Sequence, residues 1–208
     1  MINADTNAAL NSSEATIGDV KRILSALKYS DDEWSTTVVG LIDQGIEHHA
    51  AFVLLIRSNL VGSAFALVRC IVELFVTGVW FLTCATDAQI TKFRDKDKID
   101  PTFGEMAKAI DTACDLDFFH NFKTQVWKAL NSYTHTGILQ VGRRFDGDTL
   151  QPSYTDAEIL EMADAATLSL LMLVRPFLAR HGHQVAAKEV DQHIGAAKAK
   201  YDAKGKKA

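Results

Sequence analysis

The chain has 208 residues, 48% of them hydrophobic, which suits a single domain with a sizeable core. A formal net charge of −4 and a pI near 6.0 exclude nucleic-acid binding by overall charge and leave room only for a local site. Three prolines and twelve glycines are few breakers for this length, so the composition favours long helices.

The N-terminus, MINADTNAALNSSEA, has neither the basic start nor the apolar stretch of a signal peptide. Residues 1–12 are small and polar and read as a flexible arm. Ser12 or Ser13 can cap a short helix carrying Ile17, Val20, Ile23, Leu24 and Leu27. Acids cluster before Trp34, as at a helix start. The helix that follows runs to about Arg57. Its inner face is Trp34, Val38, Leu41, Ile42, Gly45, His49, Phe52 and Ile56.

Asn59 is expected to cap the central element, residues 59–86. Apolar residues surround this helix on nearly every side, so other helices must enclose it. One stripe differs: Gly62, Ala66, Arg69, Glu73, Thr77 and Trp80 recur at helical spacing. Charges on such a helix are costly unless paired or solvated. A bilayer span of about 20 apolar residues is disfavoured, because Arg57, Arg69, Glu73 and Asp87 interrupt the run.

Residues 87–100 are charged and read as a short exposed helix and turn. Pro101 and Thr102 restart a helix, with Thr102 and Glu105 at capping-box spacing. Phe103, Met106, Ile110 and Cys114 follow on one face. Asp115 or Asp117 is expected to cap the next helix, which buries Phe118, Phe122, Val126, Trp127 and Leu130. That helix ends near Tyr133–Gly137, where the glycine suits a left-handed position. Residues 138–152 are the least helical stretch, with Asp146-Gly147-Asp148 as a turn inside a small hairpin or irregular loop. Thr155 and Glu158 form a second capping box, with Tyr154 and Ile159 at hydrophobic-staple positions. The helix from there to about 181 contains Pro176, which should kink it. Gly182 marks its end. A weaker helix over 184–201 and a solvated lysine-rich tail complete the chain.

The fold class expected is therefore all-α, a bundle of five to seven helices around a buried helix 59–86. The domain spans 13–182, preceded by the arm and followed by a C-terminal helix and tail over 183–208. Helices 34–57, 117–134 and 155–181 should pack around the centre.

Candidate chemistry sits at two places. Arg69 and Glu73 are four apart, within ion-pair reach. They read either as a buried pair fixing helix register or as the lining of an anion or acid/base site. Arginine before glutamate is the poorer order for an intrahelical pair, which leaves room for partners on other helices. His135, in Tyr133-Thr-His-Thr-Gly137, stands at a helix end where an imidazole titrates near neutral pH. Arg143 and Arg144 follow in the loop and, with Tyr133, are candidate ligand- or phosphate-binding residues. The bland reading is a capping histidine and a solvated arginine pair. Glu47-His48-His49 suggests metal, but adjacent histidines point about 100° apart on a helix, and no second Glu-x-x-His motif completes a di-iron site. Neither metal nor cofactor is expected. The three cysteines, Cys70, Cys84 and Cys114, are an odd set without metal spacing, and read as reduced, buried thiols of a cytoplasmic protein.

The central NLVGSAFALVRCIVELF and the later LNSYTHTG together resemble a group of uncharacterised bacterial helical proteins related to the HEPN (higher eukaryotes and prokaryotes nucleotide-binding) superfamily. In that group an Arg-x-x-x-Glu helix precedes a Ser-x-x-His-x-Gly-like segment, and the resemblance covers roughly residues 35–180. It implies a helical bundle, often dimeric. Many members are RNA-cleaving toxins or defence factors with an Arg-x(4–6)-His motif. His135 would correspond to the motif histidine. The motif arginine is absent: Lys128, Ala129 and Leu130 occupy the upstream positions. Arg69 would supply the charge from the neighbouring helix. Cleavage by 2′-hydroxyl attack needs a proton-transfer group and a cation near the phosphate, roles for histidine and arginine.

Two readings remain. One is a non-enzymatic interaction or ligand-binding module. The other is a HEPN-like RNA-cleaving toxin or phage-defence factor using His135 with Arg69 and Glu73. A homodimer is expected in either case, with RNA or an antitoxin-like protein as the partner and no membrane.

Overall fold

A computed structural model describes the backbone of residues 2–30, 32–135 and 137–205, and their side chains except at 198 and 200–205. Among the described residues there are nine helices: α1 (Ala4–Ser25), α2 (Glu33–Arg57), α3 (Val61–Thr83), α4 (Asp87–Lys96), α5 (Phe103–Cys114), α6 (Phe119–Thr134), α7 (Ile138–Gly142), α8 (Asp156–Arg180) and α9 (Gln184–Gly205). The strands β1 (Phe145–Asp146) and β2 (Thr149–Leu150) pair antiparallel in one small hairpin, with Gly147 at positive φ. The protein is all-α with little sheet. The count exceeds the expected five to seven because the short helices α4 and α7 are separate elements.

α3 is the hub. Val68, Ile71, Val72, Phe75, Val76 and Phe81 have at most 1% exposure. α2, α8, α6 and α5 pack around it. α8 approaches α2 and α3 closely, each at a glycine: a Cβ at Gly45 of α2 would fall 2.4 Å from a Leu170 methyl and one at Gly78 of α3 would fall 2.5 Å from a Leu173 methyl. α2 and α3 are each long and apolar enough to cross a bilayer by length and composition, yet 72% of the most apolar window of α3 is buried inside the fold.

Several local readings are corrected. The expected N-terminal arm is the start of α1, which Asn3 caps by accepting from the N–H of Thr6 at 2.7 Å. Leu10 is wholly buried, so burial of an apolar side chain outweighs the polar composition around it. Ser12 and Ser13 lie inside that helix. Asn59 does not cap α3. It takes a left-handed conformation in the α2–α3 turn (φ 60°), and Leu60, which has no capping oxygen, stands at the helix start. Neither Asp115 nor Asp117 caps α6. Asp115 is left-handed at the end of α5. The carboxylate of Asp111, one turn earlier, accepts from the N–H groups of Phe118 (3.1 Å), Phe119 (2.9 Å) and His120 (2.8 Å). Gly137 is extended (φ −72°), not left-handed. Its glycine is needed for space, since a Cβ would lie 2.3 Å from Ser132 Oγ.

Other readings hold. Both capping boxes form, at Thr102/Glu105 and Thr155/Glu158. Gly182 ends α8 with φ 77°. The kink expected at Pro176 is not a break: α8 is a single helix through it. α9 packs on α8 through Ala187 and Val190 and extends to Gly205, so the helix runs past 201 into the segment expected as solvated tail; residues 206–208 lie outside the described residues.

Two polar clasps hold the layers together. Ser13 Oγ lies 2.7 Å from both His49 Nε2 and Thr167 Oγ1, tying α1, α2 and α8. His49 is 1% exposed, and burial pushes its imidazole down to about 4. At the opposite end of α8, Ser35 Oγ donates to Asp32 Oδ2 at 2.7 Å and contacts His181 Nε2 at 2.7 Å. Hydrogen bonds from Ser30 and Ser35 hold the Asp32 carboxyl below the usual range.

Candidate functional site

Aromatic contacts set the register of α3 against α6. Phe65 meets Tyr133 at 5.2 Å, and Phe75 meets Phe119 at 5.3 Å. The two helices are therefore antiparallel, and Arg69 lies over Trp127, its guanidinium 4.9 Å from the ring. Arg69 Nη2 also binds Glu73 at 2.8 Å, so the pair closes within one helix despite its unfavourable order. Trp127 stacks in turn on Phe103, centroids 3.8 Å apart. Arg69 has 16% side-chain exposure against 40% for Glu73. An ion pair and a cation–π contact hold the guanidinium while its stem is covered.

His135 is eight residues beyond Trp127, which is about 12 Å along the helix axis. It is exposed, at the C-terminal cap of α6, level with the first turn of α3. Within one chain the structure does not bring His135 to Arg69 and Glu73.

It does gather the other candidates. At the start of α3 a Cβ on Gly62 would lie 2.7 Å from Tyr154 Oη and 3.1 Å from Arg144 Nη2. The ring of Tyr154 packs edge-on against Phe65 at 5.2 Å, as Tyr133 does. Burial pushes the Tyr154 phenol up, Arg144 and Arg143 pull it down, and Tyr133 and Glu158 act with the burial. All five groups thus share one neighbourhood. Arg143 is bound to Glu158, so its charge is neutralised. Arg144 is exposed, and its guanidinium makes no hydrogen bond or ion pair among the described residues. Tyr154 Oη is buried without a hydrogen-bond partner. The N–H groups of Val61 and Gly62 also lack acceptors among the described residues, because Leu60 cannot cap them. Gln140 of α7 reaches the carbonyl of Gly62 at 3.4 Å and keeps α7 over this end.

The chain matches the model of a family of unknown function (DUF6988) over residues 42–199. It belongs to that family. The DUF6988 region contains α3, α6, α7 and α8, and hence every residue of the cluster just described. No curated protein and no solved structure matches the chain.

The elements of this cluster were legible in part. Tyr133, Arg143 and Arg144 stand out in the sequence. Tyr154 does not, because its spacing to Ile159 reads as a staple. The clue is Gly62, the one residue without a side chain in the first turn of α3. The remaining candidates are dispersed. His48 is half-buried and His49 fully buried on different faces of α2. Among the described residues no three His, Cys, Asp or Glu side chains converge. Cys70 and Cys84 are half-buried and Cys114 is exposed, so none of the three is the buried thiol expected.

Proposed function

We propose that this DUF6988 protein is a non-enzymatic binding module whose ligand seats at the end of the bundle where α3 begins. The observation that supports this reading is the pair formed by Arg144 and Tyr154: among the described residues the first is a cation without a counter-charge and the second a buried hydroxyl without a partner. A buried hydroxyl without a partner is costly in a fold that does not use it. In the same chain, Arg69 and Glu73 are committed to each other and to Trp127. Neither is therefore placed beside His135 in the same chain to serve the proton transfer that cleavage chemistry requires.

The second reading is a HEPN-like RNA-cleaving toxin or defence factor. It is favoured by one feature: His135 ends α6 on the same end of the bundle as Arg144, so a cation other than Arg69 is available to a phosphate beside the imidazole. The two readings separate by direct assay. Single-stranded RNA incubated with wild type and with His135→Ala is expected to remain intact in both, and expression of either is expected to leave growth unchanged. Cleavage by wild type that is lost in His135→Ala would replace the binding reading by the enzymatic one.

A homodimer accompanies either reading. Its support is the run of exposed apolar side chains on α7 and the hairpin: Ile138 (79% exposed), Leu150 (75%) and Phe145 (48%). Light scattering at micromolar concentration is expected to give twice the monomer mass. Ile138→Asp with Leu150→Asp should return the monomer, and a monomeric wild type would reject the pairing.

A further inference from the structure

We propose that Arg144 and Tyr154, over Gly62, hold the phosphoryl group of a ligand. This rests on the binding-module reading and names the chemistry that the module recognises. The argument begins with charge. Arg143 is neutralised by Glu158, so Arg144 is the cation left over in the cluster. The aligned peptide dipoles of α3, a 23-residue helix, add partial positive charge at the same point. A single anionic group is therefore favoured there.

Donor geometry selects the kind of anion. The guanidinium offers a planar fork, the phenol one O–H, and Val61 and Gly62 two backbone N–H groups. Burial keeps the Tyr154 phenol protonated and able to donate. These donors come from the hairpin side, from the segment just before α8 and from the start of α3. A planar carboxylate meets the fork but leaves the others unused. A tetrahedral phosphoryl group presents oxygens in three directions and can engage all of them.

Access follows from Arg144. Its side chain is exposed, and its guanidinium lies against the point where Tyr154 Oη is buried. An anion that draws the guanidinium outward uncovers the hydroxyl. Gly62 leaves room for the arrangement, since a Cβ there would overlap Tyr154 Oη at 2.7 Å and crowd Arg144 Nη2 at 3.1 Å.

The test uses the full chain and three probes at matched ionic strength: inorganic phosphate, a nucleoside 5′-monophosphate and acetate. Amide chemical shifts of Val61 and Gly62 and calorimetric titration are the readouts. Phosphate or the monophosphate is expected to shift both amides saturably. Arg144→Gln should weaken binding at least tenfold and Tyr154→Phe about threefold, with melting temperatures unchanged. Arg175→Gln, on the far side of α8, should bind as wild type does. Equal weakening by Arg175→Gln would reduce the effect to general charge and overturn the proposal. Acetate binding as well as phosphate through Arg144 would overturn the phosphoryl assignment and leave the binding module standing. No response to any probe also overturns the assignment, while the RNA assay above decides the module separately.

Discussion

Replacing Asp111 by alanine is expected to lower stability by about 3 kcal/mol, since hydrogen bonds to a charged group contribute roughly 1.5–3 kcal/mol each and do not add. Asp111 is 8% exposed, and its carboxylate accepts three successive N–H groups at the start of α6. These are the donors that a helix leaves orphaned at its first turn. Phe118 has no side chain able to cap them. The carboxylate also meets the positive pole of the helix. Alanine removes the acceptor and leaves the donors partly buried. Asp111→Asn keeps one carbonyl oxygen for Phe118 and Phe119 but turns an amide toward His120 N–H, so about half the loss is expected. Urea denaturation measures both: the midpoint should fall while the slope stays constant. A loss below about 1 kcal/mol for the alanine variant, the net value of one ordinary hydrogen bond, would show that α6 does not depend on this cap. The consequence reaches the site, because α6 carries Tyr133 and His135 at its other end.

Acidification is expected to produce the second large effect, through His49. Its imidazole has a folded value of about 4 against 6.5 unperturbed, and desolvation is the main cause, opposed by Glu14. The unfolded chain therefore binds the proton more readily than the folded one. The stabilisation is complete above pH 6.5, falls as pH drops through the window down to about 4, and then levels off. The loss across that window is about 3 kcal/mol at about 1.4 kcal/mol per unit. Other groups titrate in the same range, so the comparison is with His49→Leu. In that variant Ser13 and Thr167 keep their mutual 2.7 Å bond, and the buried ring is replaced by an apolar side chain. The stability of the wild type relative to His49→Leu should fall by about 3 kcal/mol from pH 7 to pH 4. A constant difference would mean that the imidazole opens to solvent before it titrates.

These two residues also mark where sequence reasoning reaches its limit. His49 falls on the inner face of α2 by helical spacing alone, so its burial is readable. That its hydroxyl partners come from α1 and α8 is not, because Ser13 and Thr167 are far from it in sequence. Asp111 reads as one more polar residue near a helix end. The nearer Asp115 and Asp117 have the better local claim to cap α6, but the turn after α5 uses Asp115 for a left-handed reversal. The cap then comes from a side chain one turn back.

The site shows the same division. The residues Tyr133, His135, Arg143 and Arg144 announce themselves by type and by their place at a helix end. Arg69 and Glu73 do so by being charged on an apolar helix. The sequence by itself determined the all-α class, the identity of the central helix and the positions of both capping boxes, because each depends on periodicity or on residues three or four apart. The tertiary structure alone decided that Arg69 faces Trp127 and not His135, that Tyr154 and Arg144 converge on Gly62, and that α1 packs as a full helix. Those outcomes depend on the register between helices distant in sequence. That register is chosen by how large side chains interlock across the contact, which no local spacing encodes.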